Sequence, residues 1–286
     1  MLRAESPYRA AHIQPRLIAW FTMVHILALA GLVHLVQMLV AGFYASTLAT
    51  LTLATTLFFL RHLSITVGAH RYYSHRSFKV SNPFVEYVMV TLFTGCFQHD
   101  VLFWGAKHRD HHRFSDKLGD PYSVKDGAGH AHTWWIFYDI PVKPGTAPDL
   151  EVNPVVQWQR RHYLKIAIAV AFVVPTALAA LWSDALGGFL VAGWLCLAVQ
   201  YHATWCINSV AHLWGERRYG HPTARSLPML GIPTVGESTA HDRHHKWPRD
   251  YRILPGSIWD IGQWAILLGA KLGVFYDLKT FSDPAD

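Results

Sequence analysis

Residues Leu17 to Leu60 read LIAWFTMVHILALAGLVHLVQMLVAGFYASTLATLTLATTLFFL and contain no Asp, Glu, Lys or Arg. A helix rises about 1.5 Å per residue and needs about 20 apolar residues to cross the hydrocarbon core of a bilayer. The stretch is more than twice that long. It therefore predicts two membrane spans, 17–41 and 46–67, joined by a tight turn near residues 42–46.

A second stretch, from Ile166 to Gly215, carries a single charged residue, Asp184. It predicts two further spans, 163–182 and 187–209. Across the chain 51% of residues are hydrophobic and 15% are charged, whereas a soluble domain carries about 25% charged residues. Two uncharged hairpins of this length would need a very large core in a soluble protein. We therefore predict an all-α fold, a four-transmembrane-helix bundle within one integral-membrane domain that covers residues 1–286.

The positive charges predict how the bundle is oriented. All 25 Lys and Arg lie in residues 1–16, 61–165 and 217–286, and the turns within the two hairpins lack them. The positive-inside rule then places both termini and the central charged region in the cytoplasm. Residues 68–162 and 210–286 are expected to form a helical cytoplasmic cap on the bundle.

Histidine is the unusual residue of this sequence, at 19 copies. Four clusters are expected on the cytoplasmic side: His70-Arg-Tyr-Tyr-Ser-His75, His108-Arg-Asp-His111-His112, Asn208-Ser-Val-Ala-His212 and His241-Asp-Arg-His244-His245. In H-x-x-H-H, residues i, i+3 and i+4 lie on one face of a helix. His70 and His75 are about 140° apart on an ideal α-helix, so both reach one site only if the helix bends or ends there.

Together the clusters supply nine imidazoles and one amide, a set typical of metal binding. A zinc site uses about four ligands, so nine histidines fit two metals with four or five nitrogens each. Imidazole binds Fe, Zn, Cu and Ni, and the ligand type alone leaves the element open. The other ten histidines are assigned to packing or to the surface. Five of them could support the ligands as neighbours: His62, His99, His130, His132 and His202.

The clusters resemble the histidine boxes of the integral-membrane fatty acyl desaturases, the stearoyl-CoA desaturase-like family, over roughly residues 60–140 and 200–255. The resemblance implies a dimetal site in which two irons are held by nine histidines: His70, His75, His108, His111, His112, His212, His241, His244 and His245. It also implies that Asn208 hydrogen-bonds a metal-bound water. One departure is Asp242, which stands where the family has Asn, and another is an extra residue between Glu237 and the last box.

The resemblance further implies a substrate channel and supporting residues. Trp104, Thr204 and Trp205 match positions that line a narrow channel, where aromatic rings would bind a methylene chain by burying its surface. Carboxylates commonly orient a ligating imidazole through its second nitrogen. The candidates for that role are Asp110, Asp116 and Asp120.

The implied reaction is desaturation with O2. A saturated acyl chain offers only unactivated C–H bonds, so a redox cofactor must do the difficult step, and zinc has no redox chemistry. Acyl chain, O2, two electrons and two protons would give a cis alkene, expected at Δ9, and two waters.

The expected partners are an acyl-CoA or acyl-lipid, the lipid bilayer and a separate electron donor of the ferredoxin, rubredoxin or cytochrome b5 type. No nucleic acid is expected. The donor would dock on a basic face with Arg243, Lys246, Arg249 and Arg252.

Two other functions fit part of the pattern. A related histidine-box hydroxylase or ketolase, acting on an alkane, sterol or carotenoid, would use nearly the same metal chemistry. A membrane metal transporter or sensor is more remote, because it predicts ionisable residues along a path within the spans. The length of the chain and the lack of a fused cytochrome b5 domain lead us to expect a bacterial inner membrane rather than the endoplasmic reticulum.

Overall fold

The computed structural model describes Ser6, Tyr8, residues 11–138 and residues 140–281. Within these residues the protein is mostly helical, and its sheet is a single antiparallel pair of two-residue strands. In chain order the elements are α1 (Pro15–Val40), α2 (Tyr44–Leu63), a π-helix (Ser64–Ser74), β1 (Lys79–Val80), α3 (Pro83–Thr94), α4 (Val101–Phe114), a 3₁₀-helix (Val124–Asp126), α5 (Ala128–His132), a 3₁₀-helix (Trp134–Phe137), α6 (Pro148–Glu151), α7 (Pro154–Ile168), a π-helix (Ala169–Val173), α8 (Val174–Ala180), α9 (Ala185–Gly187), a π-helix (Gly188–Leu195), α10 (Cys196–Asn208), α11 (Val210–Leu213), a 3₁₀-helix (Pro228–Leu230), α12 (His241–Lys246), α13 (Ile261–Lys271) and β2 (Phe275–Tyr276). The predicted all-α class is confirmed.

Several of these elements join into four continuous helices that are long and apolar enough to cross a membrane: Pro15–Val40, Tyr44–Ser74, Pro154–Ala180 and Ala185–Leu213. This confirms the predicted bundle of four long apolar helices. The second helix continues through its π-helical segment to Ser74. The third begins at Pro154 because the Asn153 side chain caps it, accepting hydrogen bonds from the backbone N–H of Val155 at 2.8 Å and Val156 at 3.1 Å.

Aromatic rings and small residues hold the four helices together. Phe21 packs edge-on against Trp205, with ring centroids 5.3 Å apart, and Phe172 stacks on Trp194 at 4.2 Å. At Gly188 the third and fourth helices come so close that a Cβ atom would lie 2.5 Å from the Pro175 carbonyl oxygen. Glycine is therefore required there for the helices to meet.

Asp184, the one charge of the second apolar stretch, is buried in the turn between the third and fourth helices. Its carboxylate caps α9 by accepting from the Gly187 N–H at 3.0 Å. It also lies 2.8 Å from Nε2 of His34 on α1 and accepts from the hydroxyl of Thr50 on α2 at 2.5 Å. These contacts compensate the cost of burying a charge in an apolar region. The same carboxylate links both helical hairpins.

Arg71, at the far end of the second long helix, joins the bundle to the last part of the chain. Its guanidinium is fully buried and pairs with Asp260 at 2.7 Å and with Glu237 at 3.0 Å. It also donates to the Tyr251 carbonyl oxygen at 2.7 Å. Residues around α12 and α13 are thereby fixed against the segment that carries the first histidine box.

Candidate metal centre

The structure brings the nine predicted histidines together in two groups. The five-histidine group contains His70, His75, His108, His112 and His244, and the four-histidine group contains His111, His212, His241 and His245; within each group one ring nitrogen per residue lies within 4.8 Å of the others. The groups are adjacent, because the rings of His112 and His245 stack with centroids 4.2 Å apart. Both α4 and α12 supply histidines to each group, so the two H-x-x-H-H boxes are divided between the groups.

The π-helix Ser64–Ser74 solves the spacing problem of the first box. Its backbone bonds join residues five apart, as in the His75 N–H to His70 carbonyl contact of 3.1 Å. Residues i and i+5 therefore come to lie over one another, which they do not in an α-helix. The ring centroids of His70 and His75 are 4.8 Å apart. Both rings thus face the same group, with His75 directly after the end of the π-helix.

Within the groups the Nε2 atoms point at one another. Nε2 of His70 lies 2.9 Å from that of His244, and Nε2 of His75 lies 2.9 Å from that of His108. Nε2 atoms held about 2.1 Å from one metal at right angles would be about 3.0 Å apart. Protons cannot satisfy five nitrogens that converge on one point, since each neutral ring has a single N–H. The donor set therefore fits a metal ion at each group.

The electrostatics favour rings that are neutral and able to bind a metal. Burial, with the neighbouring histidines adding to it, lowers the pKa of five rings well below the usual value; these are His108, His112, His241, His244 and His245. A neutral imidazole keeps one nitrogen lone pair, which is the form that ligates metals.

Three carboxylates orient the rings through their outer nitrogens. Nδ1 of His111 lies 2.9 Å from Asp120, and Nδ1 of His212 lies 3.1 Å from Asp116. Nδ1 of His70 lies 2.9 Å from Glu237. A carboxylate at Nδ1 holds the proton there and leaves the Nε2 lone pair facing the group centre.

The turn after α4 is built by the acids that orient these rings. The Asp120 carboxylate accepts from the backbone N–H of Asp116 at 2.7 Å and of Tyr122 at 3.1 Å, while Asp116 accepts from the N–H of Val124 at 3.0 Å. Tyr122 adds a contact that the sequence did not suggest, since its hydroxyl lies 3.2 Å from Nδ1 of His108. Backbone and imidazoles are therefore positioned by the same side chains.

Asp110 is the exception among the predicted orienting acids. It lies about 200° around α4 from His108 and about 100° from His111. Its carboxylate is half-buried and lies 4.0 Å from the Arg113 guanidinium, and within the described residues it contacts none of the nine rings. The prediction for Asp110 is therefore not met in this structure, because the helical phase turns it away.

Glu237 has the orienting role and was missed as a site residue. It is buried, and besides His70 it contacts the Arg71 guanidinium and the Thr66 hydroxyl. One signal was present in the sequence: Glu237 is the only charged residue between Arg225 and Asp242. An isolated acid in an uncharged stretch, four residues before a histidine box, is a candidate partner for a buried cation or imidazole.

Of the predicted channel residues, Trp104 contacts the five-histidine group directly. Trp104 stacks on His108, with ring centroids 4.9 Å apart. Gln98 connects two of them, because its amide accepts from Trp104 Nε1 at 3.3 Å and donates to Thr204 Oγ1 at 2.9 Å. Trp205 is buried and stacks on Tyr201.

Asn208 is the last residue of α10, four positions before His212, and it is half-buried. Within the described residues its side-chain amide makes no hydrogen bond with the protein. The amide is therefore available to a group in the site.

The predicted basic face needs correction. Arg243 is buried, and its guanidinium pairs with Asp250 at 2.7 Å, while Arg252 pairs with the same carboxylate at 2.9 Å. These two arginines hold the loop after α12. Lys246 and Arg249 are exposed and remain as the surface part of that face.

No protein-family model matches the chain. It is 36% identical over 252 residues to a probable acyl-CoA desaturase of Schizosaccharomyces pombe. The alignment covers 85% of this chain and 52% of that protein. It thus spans about half the length of that relative. It is 33% identical over 289 residues to the Delta(9)-fatty-acid desaturase fat-7 of Caenorhabditis elegans, covering 97% of this chain and 82% of that protein. It is 33% identical over 241 residues to stearoyl-CoA desaturase 5 of Bos taurus, and the alignment covers 80% of this chain and 71% of that protein.

The matches extend along most of the chain and through the four long apolar helices. The residues matched include far more than the histidine boxes, since the nematode alignment covers 97% of this sequence. These relatives, together with the four long apolar helices, make this a multi-pass membrane protein. The chain belongs to the stearoyl-CoA desaturase-like family of membrane fatty acyl desaturases.

Proposed function

We propose that this chain inserts a cis double bond, at Δ9, into a saturated acyl chain carried as an acyl-CoA or acyl-lipid. The observation that carries the proposal is the convergence of nine buried or half-buried imidazoles in two adjacent groups. The relatives support the acyl substrate, and three nematode relatives are named Delta(9)-fatty-acid desaturases. A relative from Acheta domesticus is named a Delta12-desaturase, so the double-bond position has to be measured.

The two groups would hold a pair of irons, one in the five-histidine group and one in the four-histidine group. The chemistry that bound iron would supply is activation of O2 and removal of two hydrogen atoms from adjacent carbons. The protein's part is to fix nine lone pairs in place and to keep the rings neutral. Asn208 would hydrogen-bond a water beside the four-histidine group, which has one imidazole fewer than its neighbour.

The acyl chain would pass beside the five-histidine group along Trp104, Gln98, Thr204 and Trp205. Trp104 is the part of this wall in direct contact with a histidine that would hold the metal, because its ring stacks on His108. The Gln98 amide fixes the orientation of both Trp104 and Thr204. Such a wall would hold a methylene chain by buried area and would exclude water from the reacting carbons.

The reaction also needs two electrons from a separate carrier of the ferredoxin, rubredoxin or cytochrome b5 type. We place its docking surface near Lys246 and Arg249, since both are exposed on or just after α12, the helix that carries His244. Both termini and the metal centre would lie on the cytoplasmic side, in keeping with the positive-inside rule.

Neither the hydroxylase or ketolase nor the metal transporter or sensor is favoured by the relatives or by the placement of the histidines. The relatives reported above are named desaturases, which favours removal of hydrogen over insertion of oxygen. For a metal transporter we would expect ligands spaced along the spans, whereas the nine histidines gather in one place.

Lipid analysis tests the proposal directly. The chain is expressed in a host whose fatty acids are fully saturated, and the fatty-acid methyl esters are analysed by mass spectrometry. We expect products that have lost two hydrogens, with no such products from the His111→Ala variant. Products that have gained oxygen would instead identify a hydroxylase, and an unchanged lipid profile with metal uptake would identify a transporter.

A further inference from the structure

The short segment between α3 and α4, residues 95–100, is in contact with all four of the long helices. The Trp20 ring of the first helix stacks on Phe97, with ring centroids 4.9 Å apart. The Arg61 guanidinium of the second helix lies 3.5 Å from the Gly95 carbonyl oxygen. The third and fourth helices each contact the segment through a tyrosine hydroxyl. The membrane bundle therefore determines where this segment lies.

The two tyrosine hydroxyls hold the peptide groups on either side of Gln98. The Tyr201 hydroxyl donates to the Phe97 carbonyl oxygen at 3.0 Å, and the Tyr163 hydroxyl accepts from the backbone N–H of His99 at 3.1 Å. The first of these groups belongs to the peptide unit before Gln98, and the second belongs to the unit after it. Because peptide units are planar, fixing both of them fixes the direction of the Cα–Cβ bond between them.

The backbone of this segment needs such support. Phe97 has a φ of 51° and His99 a φ of 71°, so the residues on both sides of Gln98 lie in the left-handed region. That region is unfavourable for residues with large side chains. Such conformations persist where the surrounding structure holds them. Without the contacts from the bundle we expect the segment to relax and Gln98 to change direction.

The direction of Gln98 matters because its amide joins two parts of the proposed acyl-chain wall. An indole N–H can only donate, so the amide oxygen faces Trp104 and the amide NH2 group faces Thr204, at 3.3 and 2.9 Å. The Thr204 hydroxyl donates in turn to the Gln200 carbonyl oxygen at 3.1 Å. Trp104 stacks on His108 of the five-histidine group. The contacts therefore continue from Gln98 to the metal centre.

We propose that Tyr163 and Tyr201 are positioning residues that set the direction of Gln98 and thereby select which pair of methylene groups is desaturated. The inference rests on the proposed function, in which the acyl chain passes along Trp104 and Thr204. Neighbouring methylene groups of an acyl chain have almost the same chemistry, so the double bond is placed by their position beside the metal centre. A change in the direction of Gln98 moves the wall against which the chain lies.

The test compares Tyr201→Phe and Tyr163→Phe with Tyr44→Phe, which removes the hydroxyl of an exposed tyrosine at the start of α2. Phenylalanine keeps the ring and removes only the hydroxyl. For the first two variants we expect products with the double bond at a neighbouring position. We also expect a loss of turnover of about tenfold, below the roughly 10²-fold cost of a misplacement of about 1 Å. Their KM and metal content should stay unchanged, because the apolar wall and the histidines remain.

Two further variants separate positioning from a general loss of stability. Asp184→Ala weakens the bundle at the turn between the third and fourth helices, and it should lower the thermal midpoint without moving the double bond. Gln98→Ala removes the amide itself and should move the double bond. Adding Tyr201→Phe to Gln98→Ala should then cause no further change in the products, because the tyrosine acts through the amide.

A second measurement does not depend on turnover. In metal-free protein with nitrogen-labelled glutamine, we expect the side-chain amide of Gln98 to give one set of signals in the wild type and additional signals in Tyr201→Phe. Their loss in Gln98→Ala identifies them. Unchanged double-bond positions in both tyrosine variants, a further shift in the double variant, or unchanged Gln98 signals would each overturn the inference. Failure of the wild-type protein to make any alkene would instead overturn the proposed function.

Discussion

One Glu237 carboxylate oxygen lies 2.9 Å from Nδ1 of His70, and the other lies 3.0 Å from the Arg71 guanidinium. Burial alone would raise the pKa of Glu237, but His70 and Arg71 together hold it below the usual value. The carboxylate is therefore charged. It fixes the ring of the first histidine box while it neutralises the buried arginine of the same helix.

Glu237→Gln tests that relationship. The amide has nearly the same shape, but it removes the charge that holds the His70 proton at Nδ1, so we expect a 10- to 100-fold loss in metal affinity or desaturation. Metal content by elemental analysis and product by lipid analysis would measure it. Glu216→Gln is the matched control, because Glu216 is exposed and pairs with Arg218. Equal behaviour of the two variants would contradict the orienting role.

His244→Ala removes one of the five rings around the first proposed metal position. We expect loss of desaturation together with loss of bound metal, while the protein still inserts into the membrane. His162→Ala makes the same chemical change on an exposed position of α7 and should leave both quantities unchanged. A His244→Ala protein with full metal content would show that this ring is not a ligand.

Asp120 and Asp110 provide a contrast within one short segment. Asp120→Asn weakens the contact with His111 and should lower activity or metal affinity by about 10- to 100-fold. Asp110→Asn should leave activity within about twofold, because its carboxylate contacts none of the nine rings and substitutions away from such contacts have small effects. The two turnover rates, measured in the same membrane preparation, decide the matter. A larger loss of turnover for Asp110→Asn than twofold would show that Asp110 does act in the metal centre.

Asp184→Ala should lower stability and leave the metal centre intact. It removes the α9 cap and the contacts with His34 and Thr50, which we expect to cost about 2 kcal/mol. Thermal unfolding in detergent would measure the loss. Asp277→Ala, at an exposed pair with Lys79, is the control and should change the midpoint little. Normal stability of Asp184→Ala would mean that the buried carboxylate does not link the hairpins.

The bundle of four helices could be predicted from the sequence because two long stretches with almost no charge have few other stable arrangements. It also marked all nine converging histidines, since their spacings and the family resemblance pointed to the same positions. It could not show that each H-x-x-H-H box is divided between two groups. That division depends on how α4 and α12 cross, which is a tertiary property.

The other site features that the sequence did not predict also depend on tertiary structure. Asp110 lies within the second box and Asp120 follows it by eight residues, yet the acid that is farther in sequence meets a ring, because the end of α4 and the turn after it bring Asp120 back to His111. Glu237 acts on His70 from a distant part of the chain.

The π-helix from Ser64 to Ser74 has a consequence for how the chain can vary in length. Its i to i+5 bonds bring His70 and His75 to the same group at the end of the helix that α2 begins. Deleting a single residue between the apolar face and His70 would rotate every ring beyond it by about 100°. A substitution in this segment can be neutral. An insertion or deletion of even one residue would leave the helix packed in the bundle but turn its histidines away from the metal centre.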